Sequence, residues 1–291
     1  MSTFRVLLVA GTHGNEVNAP WLMEQWAQEP DLIKTYGIDV LKVIGNPDAF
    51  SAEKRYLDRD LNRCFQNDLL HLPQSIDREV ERAKEIIMKY GPNGLTPCSI
   101  AIDLHSTTSN MGSCVVVYGR RPADLCLAAL IQSQLGLSVY LHEADNEQKG
   151  FLVESWPCGL VIEVGPVPQG VLQARTFEKT RLALEACLQC LGKVSSGEVS
   201  DPSHLVVHRH LKSLDLPRNS KGKPEALIHH ELQGKDWYPI DDGSPLFICF
   251  DGKIIRYKDK NSVVPVFINE AAYTEKNIAM SLTKREVWSF S

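Results

Sequence analysis

The chain has no long hydrophobic run, no internal repeat, no low-complexity tract and no excess of basic residues. Each absence removes a class of protein. The longest apolar stretches, such as Val6–Ala10 and Val115–Tyr118, are far too short to span a bilayer, so no membrane partner is expected. Lys and Arg number 31 against 36 Asp and Glu, a formal net charge of −5 over 291 residues. That balance argues against a general nucleic-acid binder, which needs a clustered basic surface. A local group of arginines can still oppose the net sign and receive an anionic substrate. The first residues, Met1-Ser-Thr-Phe-Arg5, lead straight into a strand-like run without the pattern of a secretory signal. The expected compartment is the cytoplasm.

Eight cysteines are spread thinly over the chain, so free thiols are expected rather than a disulfide framework. Cys187-Leu-Gln-Cys190 matches C-x-x-C, but it lies in an apparent helix and has no second such pair.

What is present is an alternation of strand and helix signals over the first two thirds. Phe4–Ala10, Asp39–Ile44, Ser99–Leu104, Cys114–Tyr118 and Gly159–Val164 are apolar runs of strand length. Between them, helical periodicity covers Asn15–Gln28, Ser75–Tyr90, Ala123–Leu135 and Phe177–Leu191, with Ser75 expected to cap its helix. This alternation predicts an α/β fold with a mostly parallel mixed sheet flanked by helices. Ligands in such sheets sit beyond the carboxyl ends of the strands. Ser195–Pro202 reads as a polar linker, giving an expected catalytic domain at 1–198 and a smaller β-rich domain at 199–291. Within the latter, short strands are expected at His204–Leu211, Ala226–His230, Pro245–Cys249, Lys253–Tyr257 and Val263–Ile268.

Four segments carry candidate chemistry. In Gly11-Thr-His13-Gly14-Asn-Glu16, an imidazole and a carboxylate three residues apart could converge on one cation; alone, they could equally be a surface histidine and a helix-N-terminal glutamate. Ser99–Thr108 ends an apolar strand in Asp103-Leu-His105, placing a second imidazole at a strand end. Two histidines and a glutamate leave a fourth position for water, the pattern of a catalytic zinc site. Asp103 could orient a ligand or simply cap a turn. Glu163 stands as one carboxylate in the otherwise apolar strand Gly159–Val164. Burying an unpaired charge costs several kcal/mol, so a functional base is the better account of it. Finally, Arg55-Tyr-Leu-Asp-Arg59-Asp60-Leu-Asn62-Arg63 fits either a solvated helical face or an anion-binding wall, and which arginine points inward stays open.

Taken together, GTHGNE, RYLDRDLNR, DLHSTTSNMG, IEVGPVPQGVL and NEAAY (residues 269–273) closely resemble the aspartoacylase and aminoacylase-3 family of zinc amidohydrolases. The resemblance runs from residue 6 to about residue 278. It implies a carboxypeptidase-A-like fold and one zinc ion per chain, held by His13, Glu16 and His105. It further implies that Arg55 polarises the scissile carbonyl, that Asn62 and Arg63 hold the substrate α-carboxylate, and that Glu163 is the general acid/base. Tyr273 matches a substrate-contacting tyrosine supplied by the C-terminal domain, and a homo-oligomer is suggested. Two positions depart from the family pattern. Ser106 stands where mammalian aspartoacylases have asparagine. The loop over residues 145–155 lacks the arginine that reads the substrate's side-chain carboxylate, with Lys149 the nearest cation.

The expected partner is therefore a small N-acyl amino acid, with N-acetyl-L-aspartate foremost and its side-chain carboxylate met by Lys149 or another loop cation. The alternatives are an aminoacylase for neutral or aromatic substrates with an apolar pocket around Phe151 and Trp156, a peptide carboxypeptidase, and a zinc-binding scaffold without turnover. His204, His208 and His210 could share one strand face, but no acidic or thiol partner stands nearby, and His229 and His230 would face opposite ways. Trp21, Trp26, Trp156, Trp237 and Trp288 are expected as packing anchors, and Gly165–Gly170 as a turn-forming passage.

Overall fold

Arg5–Ala10 forms strand β1 because its branched and leucine side chains can be buried on both faces of a sheet; Val6 through Ala10 have no solvent exposure. The computed structural model describes residues 4–143, 148–198 and 202–290. Further strands are β2 (Asp39–Ile44), β3 (Ile100–Ser106), β4 (Ser113–Tyr118), β5 (Ser138–His142), β6 (Cys158–Val164) and β7 (His204–Leu214). They continue with β8 (Ala226–Ile228), β9 (Pro245–Cys249), β10 (Ile254–Arg256), β11 (Val264–Val266) and β12 (Met280–Ser289). The helices are α1 (Asn18–Gln28), α2 (Pro47–Ser51), α3 (Asn67–Leu70), α4 (Arg78–Tyr90), α5 (Pro122–Leu135) and α6 (Ala174–Ser196).

Nine strands make one sheet in the order β11-β12-β7-β5-β4-β6-β3-β1-β2, and β10-β9-β8 make a second, smaller one. The run β6-β3-β1-β2 is parallel throughout, and β4 joins β6 antiparallel. Alternate side chains of β1 and β3 separate the two cores. Val6, Leu8, Ile100 and Ile102 pack with α1, α5 and α6, whereas Leu7, Val9 and Ala101 pack with α4 and Trp156. Each leucine fully buried in this way contributes roughly 1.5–3 kcal/mol. No helix among the described residues is long and apolar enough to cross a membrane.

Several local details differ from expectation. Helix α4 begins at Arg78, because Ser75 Oγ accepts from the Asp77 amide and closes a turn ahead of the helix. Two strands were hidden. Ser138–His142 is only five residues long, and Met280–Ser289 carries Lys284-Arg-Glu286 on its solvated part. Strand β12 pairs along the whole of β7, which itself joins β5, so three C-terminal strands extend the main sheet. The expected linker is helical as far as Ser196, and its residues 199–201 lie outside the described residues. Cys187 and Cys190 are buried in α6.

Candidate active site

The carboxyl ends of parallel strands β1, β3 and β6 meet at one edge of the sheet. After Ala10, Gly11 turns with φ +66°, and Gly14 then passes so close to α2 that a Cβ there would lie 2.2 Å from the Ala49 carbonyl carbon. Only glycine allows that approach. It seats the His13–Glu16 loop against the sheet, with the Glu16 amide bonded to the His13 carbonyl at 3.1 Å.

His13 Nδ1 lies 2.7 Å from Glu16 Oε1, and His105 Nδ1 lies 3.1 Å from Glu16 Oε2. The other nitrogens face aspartates: His13 Nε2 is 3.0 Å from Asp60 Oδ1, and His105 Nε2 is 2.7 Å from Asp103 Oδ2. A carboxylate on Nε2 keeps the proton there and leaves the Nδ1 lone pair facing the centre. The three side chains are buried, and one ligand atom from each lies within 4.8 Å of the others. Two imidazoles and one carboxylate, each imidazole pinned from behind, fit a divalent zinc ion with a position left open. Burial alone would raise the Glu16 carboxyl, but His13 and His105 hold it well below the usual carboxylate range. Asp60 is likewise held low against burial, by His13 and Arg55.

The arginine segment resolves into inward and outward members. Arg55 reaches Glu16 Oε1 at 3.4 Å and Asp60 Oδ2 at 3.2 Å. Arg63 donates to the Asn62 carbonyl at 2.6 Å and to Gln148 Oε1 at 2.9 Å, and its guanidinium stacks 4.2 Å over Phe151. Arg59 turns away to Asp77 at 2.7 Å. Asn62 spends its amide oxygen on the Leu152 N–H at 2.8 Å, so only its NH2 group remains to donate. The backbone N–H of Ser106, not its side chain, bonds Glu16 Oε2 at 2.9 Å; the departure from asparagine leaves that bond in place.

Glu163 stands directly opposite His105 in the β3–β6 register and opens onto the same cleft. Burial raises its carboxyl well above the usual range, more than His105 lowers it. Tyr273 joins from the C-terminal region, on a 3-10 turn (Ala271–Lys276), and also lines the cleft. Tyr118 and Phe151, stacked at 3.8 Å, add an aromatic wall with Phe267.

Three expectations change here. Lys149 is exposed and lies outside the cleft, in a surface depression with Asp68 and Glu143. Trp156 is buried away from the cleft, donating to the Tyr90 carbonyl at 3.0 Å. The rings of His229 and His230 stack at 4.1 Å in a turn, because β8 ends at Ile228 and the strand alternation no longer applies. With Glu231 they form a second group of close ligand atoms, exposed at two of its three residues, in which His229 Nδ1 already accepts from the Glu231 amide. Of the other histidines, His204 is exposed, His208 packs edge-on to Trp237 and His210 Nδ1 lies 3.0 Å from Tyr140 Oη. Residues 145–147 of the departing loop lie outside the described residues.

Sequence reasoning missed Asp60 as the partner of His13, the aromatic wall and, above all, Glu270. One oxygen of Glu270 accepts from the Thr107 hydroxyl, from the amide and hydroxyl of Thr108 and from the amide and hydroxyl of Ser109. Its other oxygen caps the turn bearing Tyr273, through the Ala272 amide at 3.0 Å. No local spacing signals that contact, since the partners are more than 160 residues apart.

This is the architecture of a known family. Residues 2–191 match the succinylglutamate desuccinylase/aspartoacylase catalytic domain, and residues 203–285 match the AstE/AspA barrel-sandwich hybrid domain. The chain belongs to the succinylglutamate desuccinylase/aspartoacylase family of amidohydrolases. More narrowly, it is 61% identical over 287 residues to a probable aspartoacylase of Prochlorococcus marinus (strain MIT 9313), covering 99% of this chain and 94% of that one. A probable aspartoacylase of Synechococcus sp. (strain CC9605) is 57% identical, with 99% and 94% covered. The crystal structure of murine aminoacylase 3 superimposes with a TM-score of 0.90 at 31% identity, covering 99% of this chain and 97% of that one.

Proposed function

We propose that the chain is a zinc-dependent hydrolase that removes the acyl group from an N-acyl-L-amino acid, with N-acetyl-L-aspartate as its preferred substrate. The observation that carries this reading is the convergence of His13, Glu16 and His105 beside Glu163, at the strand ends where two arginines also point inward. The 61% identity to a probable aspartoacylase supports the choice of substrate.

His13, Glu16 and His105 would hold a zinc ion, which would supply Lewis acidity and lower the pKa of water towards neutrality. Glu163, opposite His105, takes the proton from the attacking water and delivers it to the leaving nitrogen, which an amine leaving group requires. Its raised pKa suits a group that must both accept and return a proton. Arg55 donates to the oxyanion that develops on the carbonyl. The Asn62 NH2 group and Arg63 hold the α-carboxylate, and Tyr273 closes the cleft over the substrate, so binding energy becomes orientation.

The aromatic wall of Tyr118, Phe151 and Phe267 favours a second reading, an aminoacylase for neutral or aromatic side chains. A panel of N-acetyl-aspartate, N-acetyl-leucine, N-acetyl-tyrosine and a dipeptide on zinc-loaded protein separates the two. Superior kcat/KM for the neutral substrates would replace the first reading with the second. Metal analysis of His105→Ala is expected to show lost zinc together with lost turnover; full occupancy with normal turnover would end the assignment.

A further inference from the structure

One buried carboxylate beside the arginine segment has no part in the deacylase reading. Glu79 stands in the first turn of α4 and is 1% exposed, and a glutamate is almost never buried so fully without partners. Its two oxygens accept four hydrogen bonds. Oε1 takes the Asn46 side-chain amide at 3.1 Å and the Leu57 N–H at 2.7 Å. Oε2 takes the Asp58 and Arg59 N–H groups, both at 3.1 Å. Four donors satisfy the buried carboxylate and make it the centre of a closed network.

Three of those donors are consecutive backbone amides lying between Arg55 and Asp60. Residues 52–60 belong to no helix or strand, so no regular ladder holds that stretch. Successive N–H groups turned onto one anion form a concave nest, and here the chain itself supplies the anion. The grip is reciprocal. Asp58 Oδ2 accepts from the Arg78 amide at 3.0 Å, and Arg59 Nε donates to Asp77 Oδ2 at 2.7 Å, so this turn and the start of α4 fasten each other. Fixing the turn fixes its two ends. Arg55 and Asp60 leave it face to face, with Nη2 3.2 Å from Oδ2. Arg55 goes on to Glu16, and Asp60 backs His13 Nε2 at 3.0 Å. The fourth donor extends the hold to the other side of the His13 loop, because Asn46 Oδ1 accepts from the Ala49 amide of α2, where Gly14 passes.

We infer that Glu79 is a positioning residue for the site: through the turn at residues 57–59 it aims Arg55 at the scissile carbonyl and sets Asp60 behind His13. The Arg55 half of the inference rests on the deacylase reading, whereas the Asp60 half needs only the candidate metal ligands. A carboxylate that served stability alone would act regardless of which neighbours are present. One that works through Arg55 and Asp60 loses its effect on the site when they are removed.

Two double-mutant cycles on zinc-loaded protein test it, with turnover expressed per bound zinc. Glu79→Gln keeps the volume but turns an amide NH2 group towards N–H groups that need an acceptor. On the best substrate of the N-acyl panel, kcat is expected to fall roughly tenfold to a hundredfold, the scale of a displaced donor, while KM changes by less than about threefold. In an Arg55→Ala background the same substitution is expected to lower kcat by less than about threefold. The second cycle needs no substrate. By chelator competition, Glu79→Gln is expected to weaken zinc binding about tenfold, and by less than about threefold once Asp60→Asn is present. Should Glu79→Gln fail to fold, Glu79→Asp, which keeps the charge on a shorter stem, takes its place in both cycles. Equal losses with and without Arg55, and with and without Asp60, would make Glu79 a stabilising residue and overturn the inference while the deacylase reading stands. If wild type hydrolyses no N-acyl substrate, the deacylase reading falls, and the zinc cycle alone decides the role of Glu79.

Discussion

His105 and Asp103 sit two residues apart on β3, and the 2.7 Å contact between His105 Nε2 and Asp103 Oδ2 decides which imidazole nitrogen faces Glu16. Asp103 is itself held by the Thr12 hydroxyl at 2.8 Å, so the first loop and the third strand share one anchoring carboxylate. The ring cannot turn without breaking that bond.

Asp103→Asn removes the charge that fixes this orientation. Zinc affinity is expected to fall roughly tenfold to a hundredfold, the usual effect of losing a carboxylate behind a histidine ligand. Competition with a chelator measures it, and wild-type affinity in the variant would show that Asp103 does not orient His105.

Glu163→Gln keeps shape and volume but cannot accept a proton. It is expected to bind zinc and substrate while kcat falls by ~10² or more. A rise in KM with kcat almost unchanged would make Glu163 a binding residue and refute its role as the base.

Glu270→Ala leaves the donors of Thr107, Thr108 and Ser109 without their shared acceptor. Buried donors stripped of an acceptor cost about 1–3 kcal/mol each, so several kcal/mol of stability should be lost, together with kcat/KM as Tyr273 loosens. Thermal unfolding and steady-state kinetics check both. Unchanged stability would mean that the clamp carries no energy.

His208 makes one contribution to the pH dependence of stability. Burial, with Arg285 opposite on β12, lowers its pKa from 6.5 to about 4. Between those values the unfolded chain binds a proton that the folded chain does not, so stability falls as pH drops through this window. The full effect, at most about 3 kcal/mol, develops only below a pH of about 4, where the folded imidazole is protonated too. In melts of metal-free protein at about pH 7.5 and about pH 5, His208→Gln is expected to lose less stability than wild type; equal losses would refute the assignment.

The sheet and its flanking helices were legible because burial imposes a period on sequence: β2 and β9 were anticipated to the residue, and β1, β3, β4 and β6 to within two residues at either end. His13, Glu16, His105 and Glu163 could be singled out because each interrupts an apolar run or follows one at a strand end. Two kinds of feature were not legible. Strand β12 disguises its period with charges on a half-solvated strand. Glu270 acts only through chain brought from far away, and nothing in its own neighbourhood distinguishes it from a surface residue.

The Glu270 clamp also has a meaning in time. It ties residues 107–109 to a segment made some 160 residues later. The candidate ligands His13, Glu16 and His105 are made first, and the turn carrying Tyr273 follows about 160 residues after the last of them. In chain order, His13, Glu16 and His105 are therefore made before Tyr273 and the turn that Glu270 caps, so the proposed metal end of the cleft precedes its proposed substrate wall.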